Sequence, residues 1–245
     1  MQIRLNKFLA QAGVASRREV DKMIAEGRIK VNSQVVQVLG CKIDDEKDRV
    51  EVDGRRVEKE EGLVYLMLNK PPGHLVTLKD NFKRPTIQQL LPSLKQRIFP
   101  VGRLDYDSSG LLLLTNDGEL AYRLTHPRFK VPKVYLVKVL GEPDHSDLAR
   151  LEKGIYLDGK KTAPAKVAKL KGDPKKSLFK IEIFEGRKRE VKRMFQAIGH
   201  KVLHLQRISF GSLRLGSLKT GKWRYLTRKE IDTLKKQAAL KQTEN

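Results

Sequence analysis

Val101-Gly102-Arg103-Leu104-Asp105-Tyr106-Asp107-Ser108-Ser109-Gly110, followed by Leu111-Leu112-Leu113-Leu114 and Thr115-Asn116-Asp117-Gly118, is the stretch on which the reading turns. Four consecutive leucines bounded by turn residues read as a short, buried strand. Asp105 stands just before it, between a cationic residue and a turn, so a carboxylate sits at the mouth of a buried strand, where it can be held rigidly. By residue type alone, Asp105, Asp107, Ser108 and Ser109 also serve as ordinary turn and cap residues, because Asp and Ser bond to nearby backbone N–H groups. After the leucines, Asn116 or Asp117 caps a helix from Glu119 to Leu124 that His126-Pro127 ends.

Downstream, Val131 to Val139 alternates as a strand, with Lys133, Tyr135, Val137 and Val139 on one face. Leu178 to Phe184 alternates likewise and runs into a helix whose Val191, Met194, Phe195 and Ile198 share a face, with Gly199 as its stop. Between Lys160 and Arg193 stand thirteen Lys or Arg residues against four acids, the densest basic region of the chain. Thr227 can cap a last basic helix, and residues 236–245 are expected to form a disordered basic tail.

Upstream, Leu63 to Leu68 is a buried strand ending in Asn69-Lys70-Pro71-Pro72-Gly73-His74, where two prolines force an extended loop. Thr86 caps a short helix from Ile87 to Leu91. Strands and helices mix without regular alternation, which predicts an α+β fold on a mixed, mostly antiparallel central sheet over residues 61–235.

Residues 1–60 read as a separate small unit. Leu5, Phe8, Leu9 and Ala12 fall at helical spacing before Gly13, and Ser16 with Glu19 forms a capping box for a second helix ending at Gly27. Ile29 to Asn32 and Val35 to Val38 follow as a hairpin, and Val50 to Asp53 as a closing strand. Outward positions carry Arg4, Lys7, Arg17, Arg18, Lys22, Arg28 and Lys30 against Glu19, Asp21 and Glu26. A helix-turn-helix DNA reader could use two such helices, but the hairpin directly after them favours an RNA module. The charged segment Glu58 to Gly62 is the expected linker.

With 245 residues, a formal net charge of +22 and a pI near 10.1, the chain is built for a polyanion, because phosphates neutralised by Lys or Arg release counterions. No apolar run is long enough to span a membrane, no lipidation signal appears, and the charged N-terminus is no signal peptide, so a cytoplasmic protein is expected. The single cysteine, Cys41, excludes an intrachain disulfide and a Cys-based zinc site. His200 and His204 stand four apart but flank a strand with no carboxylate pattern, so no metal is expected.

GRLDYDSSGLLLLTNDG resembles the catalytic motif of the pseudouridine synthases that act on ribosomal RNA, in the branch with an N-terminal RNA-binding module. RLNKFLAQAGVASRREVDKMIAEGRIKVNSQ resembles that module, first known from ribosomal small-subunit protein four, and EGRKREVKRMFQAIGH with Val202 to Gly211 is a third match. The resemblance implies that Asp105 is the essential carboxylate, that Tyr135 is catalytic, packing on the target base and able to take part in proton transfer, and that Leu205 lines the pocket. It further implies that the loop of Lys70 lies beside the site, and that a cation from the helix at 190–198 pairs with Asp105. By position the cation is Lys192, with Arg103 and Arg193 as competitors, and Lys70, Arg103, Arg187, Arg193 and Leu205 are the substrate-binding candidates. Ser108 stands where many relatives have Thr, which keeps a hydroxyl.

Uridine-to-pseudouridine isomerisation needs no redox cofactor, nucleotide or metal. It needs a carboxylate, a cation that keeps it ionised and aimed, and a closed pocket. The expected partner is therefore ribosomal RNA or a pre-ribosomal particle, with the target in a loop or bulge and the base flipped out. The motifs lean toward large-subunit RNA. A small-subunit enzyme, a non-catalytic RNA-binding or ribosome-assembly protein and a DNA-binding regulator are the alternatives, and a monomer is the simplest assembly.

Overall fold

In the computed structural model, which describes residues 2–58, 62–78 and 80–240, the chain forms two compact units. One comprises Met1–Leu63 with Leu94–Arg97, the other Val64–Ser93 with Ile98–Asn245. The middle of the expected linker, residues 59–61, lies outside the described residues.

In the first unit, β1 (Gln2–Arg4) leads directly into α1 (Leu5–Gln11), and α2 (Arg17–Ala25) follows. The capping box is present: Ser16 Oγ accepts from the Glu19 N–H, and Glu19 accepts from the Ser16 N–H at 2.9 Å. Next come β2 (Ile29–Val31), β3 (Gln34–Val35), β4 (Lys42–Asp44), β5 (Val50–Val52) and β6 (Arg55–Arg56). They form a sheet of order β3-β2-β5-β6, while β4 pairs with β1. Leu5, Phe8, Leu9, Val20, Ile24, Ile29, Ile43 and Val50 close the core. The hairpin strand expected to reach Val38 stops at Val35, since Val38 is 73% exposed and has no face to cover.

The second unit begins with β7 (Tyr65–Lys70), buried at every position, and a 3-10 turn at Ile87–Leu90. Thr86 occupies the N-cap of that turn without making a side-chain cap bond. β8 (Phe99–Pro100) leads to the Asp105 loop, then β9 (Ser109–Thr115), α3 (Gly118–Thr125), β10 (Lys133–Leu140) and α4 (His145–Lys153). Asp117, rather than Asn116, caps α3 by accepting from the Leu120 N–H, whereas Asn116 accepts from the Val64 N–H. The basic region then yields β11 (Tyr156–Leu157), β12 (Lys160–Lys161), β13 (Lys166–Gly172) and β14 (Lys176–Ile183). α5 (Glu190–Ala197), β15 (Val202–Phe210), β16 (Leu213–Arg214), β17 (Trp223–Tyr225) and α6 (Arg228–Leu240) complete it. α6 continues through residue 240, so the first five residues of the expected tail are helical; residues 241–245 lie outside the described residues.

The main sheet has the order β13-β14-β10-β15-β9-β7-β17, antiparallel throughout except where β15 meets β9. The mixed, mostly antiparallel α+β architecture thus stands as expected. The parallel seam is two residue pairs long, Gln206 with Ser109 and Arg207 with Gly110. Leu111 to Leu114 are fully buried, each contributing about 2 kcal/mol of apolar burial. One core joins β7 and β9 to α3 and α6 through Met67, Leu111, Leu113, Leu124 and Leu234. α5 covers the other half, where the Phe195 and Phe179 rings meet at 5.8 Å. No described helix is long and apolar enough to cross a membrane.

Candidate active site

The Asp105 loop is shaped by Gly102, whose φ of +71° suits glycine, and closed by the Ser108 N–H donating to the Asp105 carbonyl at 3.1 Å. Lys70 fixes it from beneath. Its ammonium has no exposed surface and donates to the carbonyls of Pro71 (2.9 Å), Tyr106 (3.3 Å) and Ser108 (2.8 Å), using all three donors. Burial brings Lys70 down to about 8 against the pull of Asp107 and Asp105. Expected as a substrate contact, Lys70 is instead sealed under the loop, because it ends β7, which is buried at every position, and its ammonium is taken up by three carbonyls.

Lys192, on α5, reaches this loop with its Nζ 3.9 Å from Asp105 Oδ2 and 2.5 Å from Asp107 Oδ1. The expected pairing exists, but it is shared, and Asp107 takes the hydrogen bond. Burial opposes ionisation of Asp107, yet the hydrogen bond and charge of Lys192, with Arg189 beyond, hold its carboxyl below the usual range. The rival cations are elsewhere. Arg193 pairs with Asp158 at 2.6 Å, and Arg103, exposed on the pocket wall, makes no ion pair among the described residues.

Behind Asp105 opens a cavity of about 140 Å³ lined by Arg103, Ser108, Lys133, Tyr135, Arg187, Glu190, Leu205, Arg207 and Phe210, among others. Tyr135 and Leu205 are 7% and 5% exposed. Strand alternation puts Tyr135, Leu205 and Arg207 on one face, since β10 pairs Tyr135 with Arg207 and Val137 with Leu205. Burial drives the Tyr135 hydroxyl upward, opposed by the Arg207 charge. Arg207 is buried, donates from Nε to the Leu111 carbonyl at 2.8 Å and stacks 4.9 Å from the Phe210 ring. Sequence reading passed over Arg207, although its i, i+2 relation to Leu205 on a strand carries the signal.

Glu190 contributes to the cavity wall, with Glu185 bonded to it from outside the lining. Glu190, 4% exposed, accepts from the Arg187 N–H at 2.9 Å, and Arg187 in turn pairs with Glu185 and caps the carbonyls of Lys160 and Lys161. Burial, then the hydrogen bond with Glu185, pushes Glu190 up to about 8, while the Ala163 N–H and Arg187 help hold Glu185 low despite burial. Arg187 is therefore a structural tie as well as a lining residue. In the first unit, Arg4, Arg17, Arg18, Lys22 and Lys30 are exposed and Lys7 half-buried, whereas Arg28 is held by Asp53 at 2.7 Å and by Glu26. No group of three His, Cys, Asp or Glu side chains suited to a metal occurs among the described residues.

Residues 64–197 match the family described as RNA pseudouridylate synthase, and residues 3–45 match the S4 domain. The chain is 48% identical over 234 residues to ribosomal large subunit pseudouridine synthase B of Bacillus subtilis, covering 95% of each. It is also 48% identical over 242 residues to an uncharacterised RNA pseudouridine synthase of Aquifex aeolicus, covering 98% of this chain and 97% of that one. A crystal structure of a pseudouridylate synthase superposes with a TM-score of 0.69 at 35% identity, over 95% of this chain and 99% of that one. With these matches spanning both units and the whole of the cavity wall, the chain belongs to the RNA pseudouridine synthases and is an RNA-directed isomerase.

Proposed function

We propose that this enzyme isomerises one uridine of large-subunit ribosomal RNA, with Asp105 as the catalytic carboxylate and the cavity behind it receiving the flipped base. The observation that carries the assignment is the meeting, around one cavity, of Asp105, itself 3.9 Å from the shared cation Lys192, and the buried wall of Tyr135, Leu205 and Arg207. The name of the Bacillus subtilis relative supports the large-subunit substrate.

In the reaction the bond from ribose C1′ to N1 breaks, the base rotates, C5 bonds to C1′, and the C5 proton leaves while N1 regains one. Atoms balance without an added reactant. Asp105 supplies the carboxylate that engages the sugar or base as that bond breaks. Lys192 orients it. Tyr135 and Leu205, side by side on one sheet face, give the base a buried floor that limits its escape while it turns. Flipping the uridine costs roughly a few kcal/mol, drawn from backbone contacts by the exposed cations of the first unit and by Lys188 and Arg189 beside the cavity. The cytoplasm, where ribosomes are made, is the expected compartment.

Asp105→Asn tests the assignment. Pseudouridine formation on ribosomal RNA, read by chemical mapping of the modified base, should vanish while filter binding of the same RNA stays within about twofold. Undiminished isomerisation by the variant refutes the role of Asp105. Modification confined to small-subunit RNA refutes the substrate.

A further inference from the structure

The cations of residues 160–193 do not form one surface. Register separates them by the two-residue alternation of strands. Ile183 lies on the cleft face, together with Tyr135, Leu205 and Arg207, and Arg187, Arg189 and Lys192 approach the same cavity from the loop and helix that follow. The opposite face carries Lys138 on β10, Lys176 and Lys180 on β14, and Lys166 and Lys171 on β13. The burial pattern of β14 alternates strictly: Lys176 and Lys180 are exposed, while Ser177, Phe179, Ile181 and Ile183 are buried. β10 does the same from Tyr135 onward, with Lys138 and Leu140 outward. β13 is exposed at six of its seven positions, Leu170 being 50% exposed, as is Leu140 on β10.

This face has almost no carboxylate to answer its lysines. Glu182 is taken by Lys166 at 3.2 Å. Asp173, at the β13–β14 turn, accepts the N–H groups of Lys175 and Lys176, and their effect, with the charges of Lys176 and Lys138, holds its carboxyl low. Lys138, Lys171, Lys176 and Lys180 make no ion pair among the described residues. An uncovered sheet face with this excess of unpaired ammonium groups is complementary to a phosphodiester backbone. We infer that the sheet face turned away from the cleft is a second RNA-binding surface, gripping the phosphate backbone of a segment distinct from the one whose uridine enters the cavity. This rests on the ribosomal RNA reading above. It deepens that reading, because a substrate that reaches both faces of one sheet must be a large structured RNA.

The probe is a full-length large-subunit ribosomal RNA transcript, compared with short hairpin fragments of it, bound by filter retention from 50 to 200 mM KCl. The variant is Lys138→Glu/Lys180→Glu, with Lys138→Ala/Lys180→Ala as the milder control; neither residue lines the cavity. For the alanine pair the salt slope on the transcript should fall by about 2 and affinity near 150 mM by on the order of tenfold, the glutamate pair losing more, while hairpin binding is unchanged. Unchanged slope and affinity on the transcript overturn the inference. So does equal loss on hairpins, which would mean that the substitutions act through the cleft, or a charge-dependent loss of binding to anionic lipid vesicles with RNA binding intact. Because binding alone is read, a failed uridine assignment would leave these outcomes interpretable.

Discussion

Lys70 places a positive charge where no water reaches it, tied to three backbone carbonyls under the loop that presents Asp105. Lys70→Met leaves those carbonyls without a donor, and unfolding in urea should show a loss of about 2–4 kcal/mol. Turnover should fall more than KM rises, since the loop loosens while the RNA contacts remain. A variant with wild-type turnover would deny Lys70 its positioning role. Glu190 gives a second residue-scale prediction. Its carboxyl, ordinarily near 4.5, is raised to about 8 in the fold, chiefly by burial, so the folded protein keeps a proton that the unfolded chain releases. The proton belongs to the Glu185–Glu190 pair. The stability it confers is full below about pH 4.5 and is lost as pH rises to about 8. Thermal melts of Glu190→Gln should therefore gain on wild type between pH 5 and 8 and run parallel above that; a constant gap would contradict the shared proton. Lys70 and Glu190 also mark the limit of sequence reading. That Asp105, Tyr135, Lys192 and Leu205 would lie near one another was readable because each lies in a recognisable run, but whether a lysine beside two prolines faces substrate or interior depends on contacts distant in sequence.

Among the elements, the seam between β9 and β15 is the least tolerant. Gly110 has a φ of +105°, and a Cβ there would come within 2.7 Å of the Arg207 nitrogen and closer still to its carbonyl oxygen. Gly110→Ala must push the strands apart or twist β9, at a cost of about 4 kcal/mol or more, and should yield mostly insoluble protein or a strongly lowered melting temperature. Ordinary stability in that variant would mean that the seam is softer than its geometry. The helices were legible from local chemistry: the Ser16–Glu19 box, Asp117 before α3, and the apolar face of α5. β9 was legible as four leucines. Its parallel partner was not, because the pairing joins residues almost a hundred positions apart and leaves no local pattern. β13 was hidden for another reason: exposed on both faces, it lacks the apolar alternation that reveals a strand.

For the whole molecule, the +22 charge makes RNA affinity a function of salt. If six to ten phosphates are neutralised, binding should weaken by about 10³ to 10⁵ between 50 and 200 mM salt, and a flat response would remove backbone contact as the main source of affinity. Composition made the class of partner plain, and the motifs made the family plain. The division of the basic region between two faces of a sheet was beyond either, since it depends on strand register.

The outermost strand of the main sheet, β17, lies against β7, with Trp223 opposite Leu68 and Tyr225 opposite Leu66. In a chain still being translated, Leu66 to Leu68 emerge first and their edge partner roughly 10–30 s later at common elongation rates. For that interval a nascent chain carries an apolar strand with a bare edge, a target for chaperones and a hazard in crowded polysomes. The sheet becomes whole only once that strand has followed.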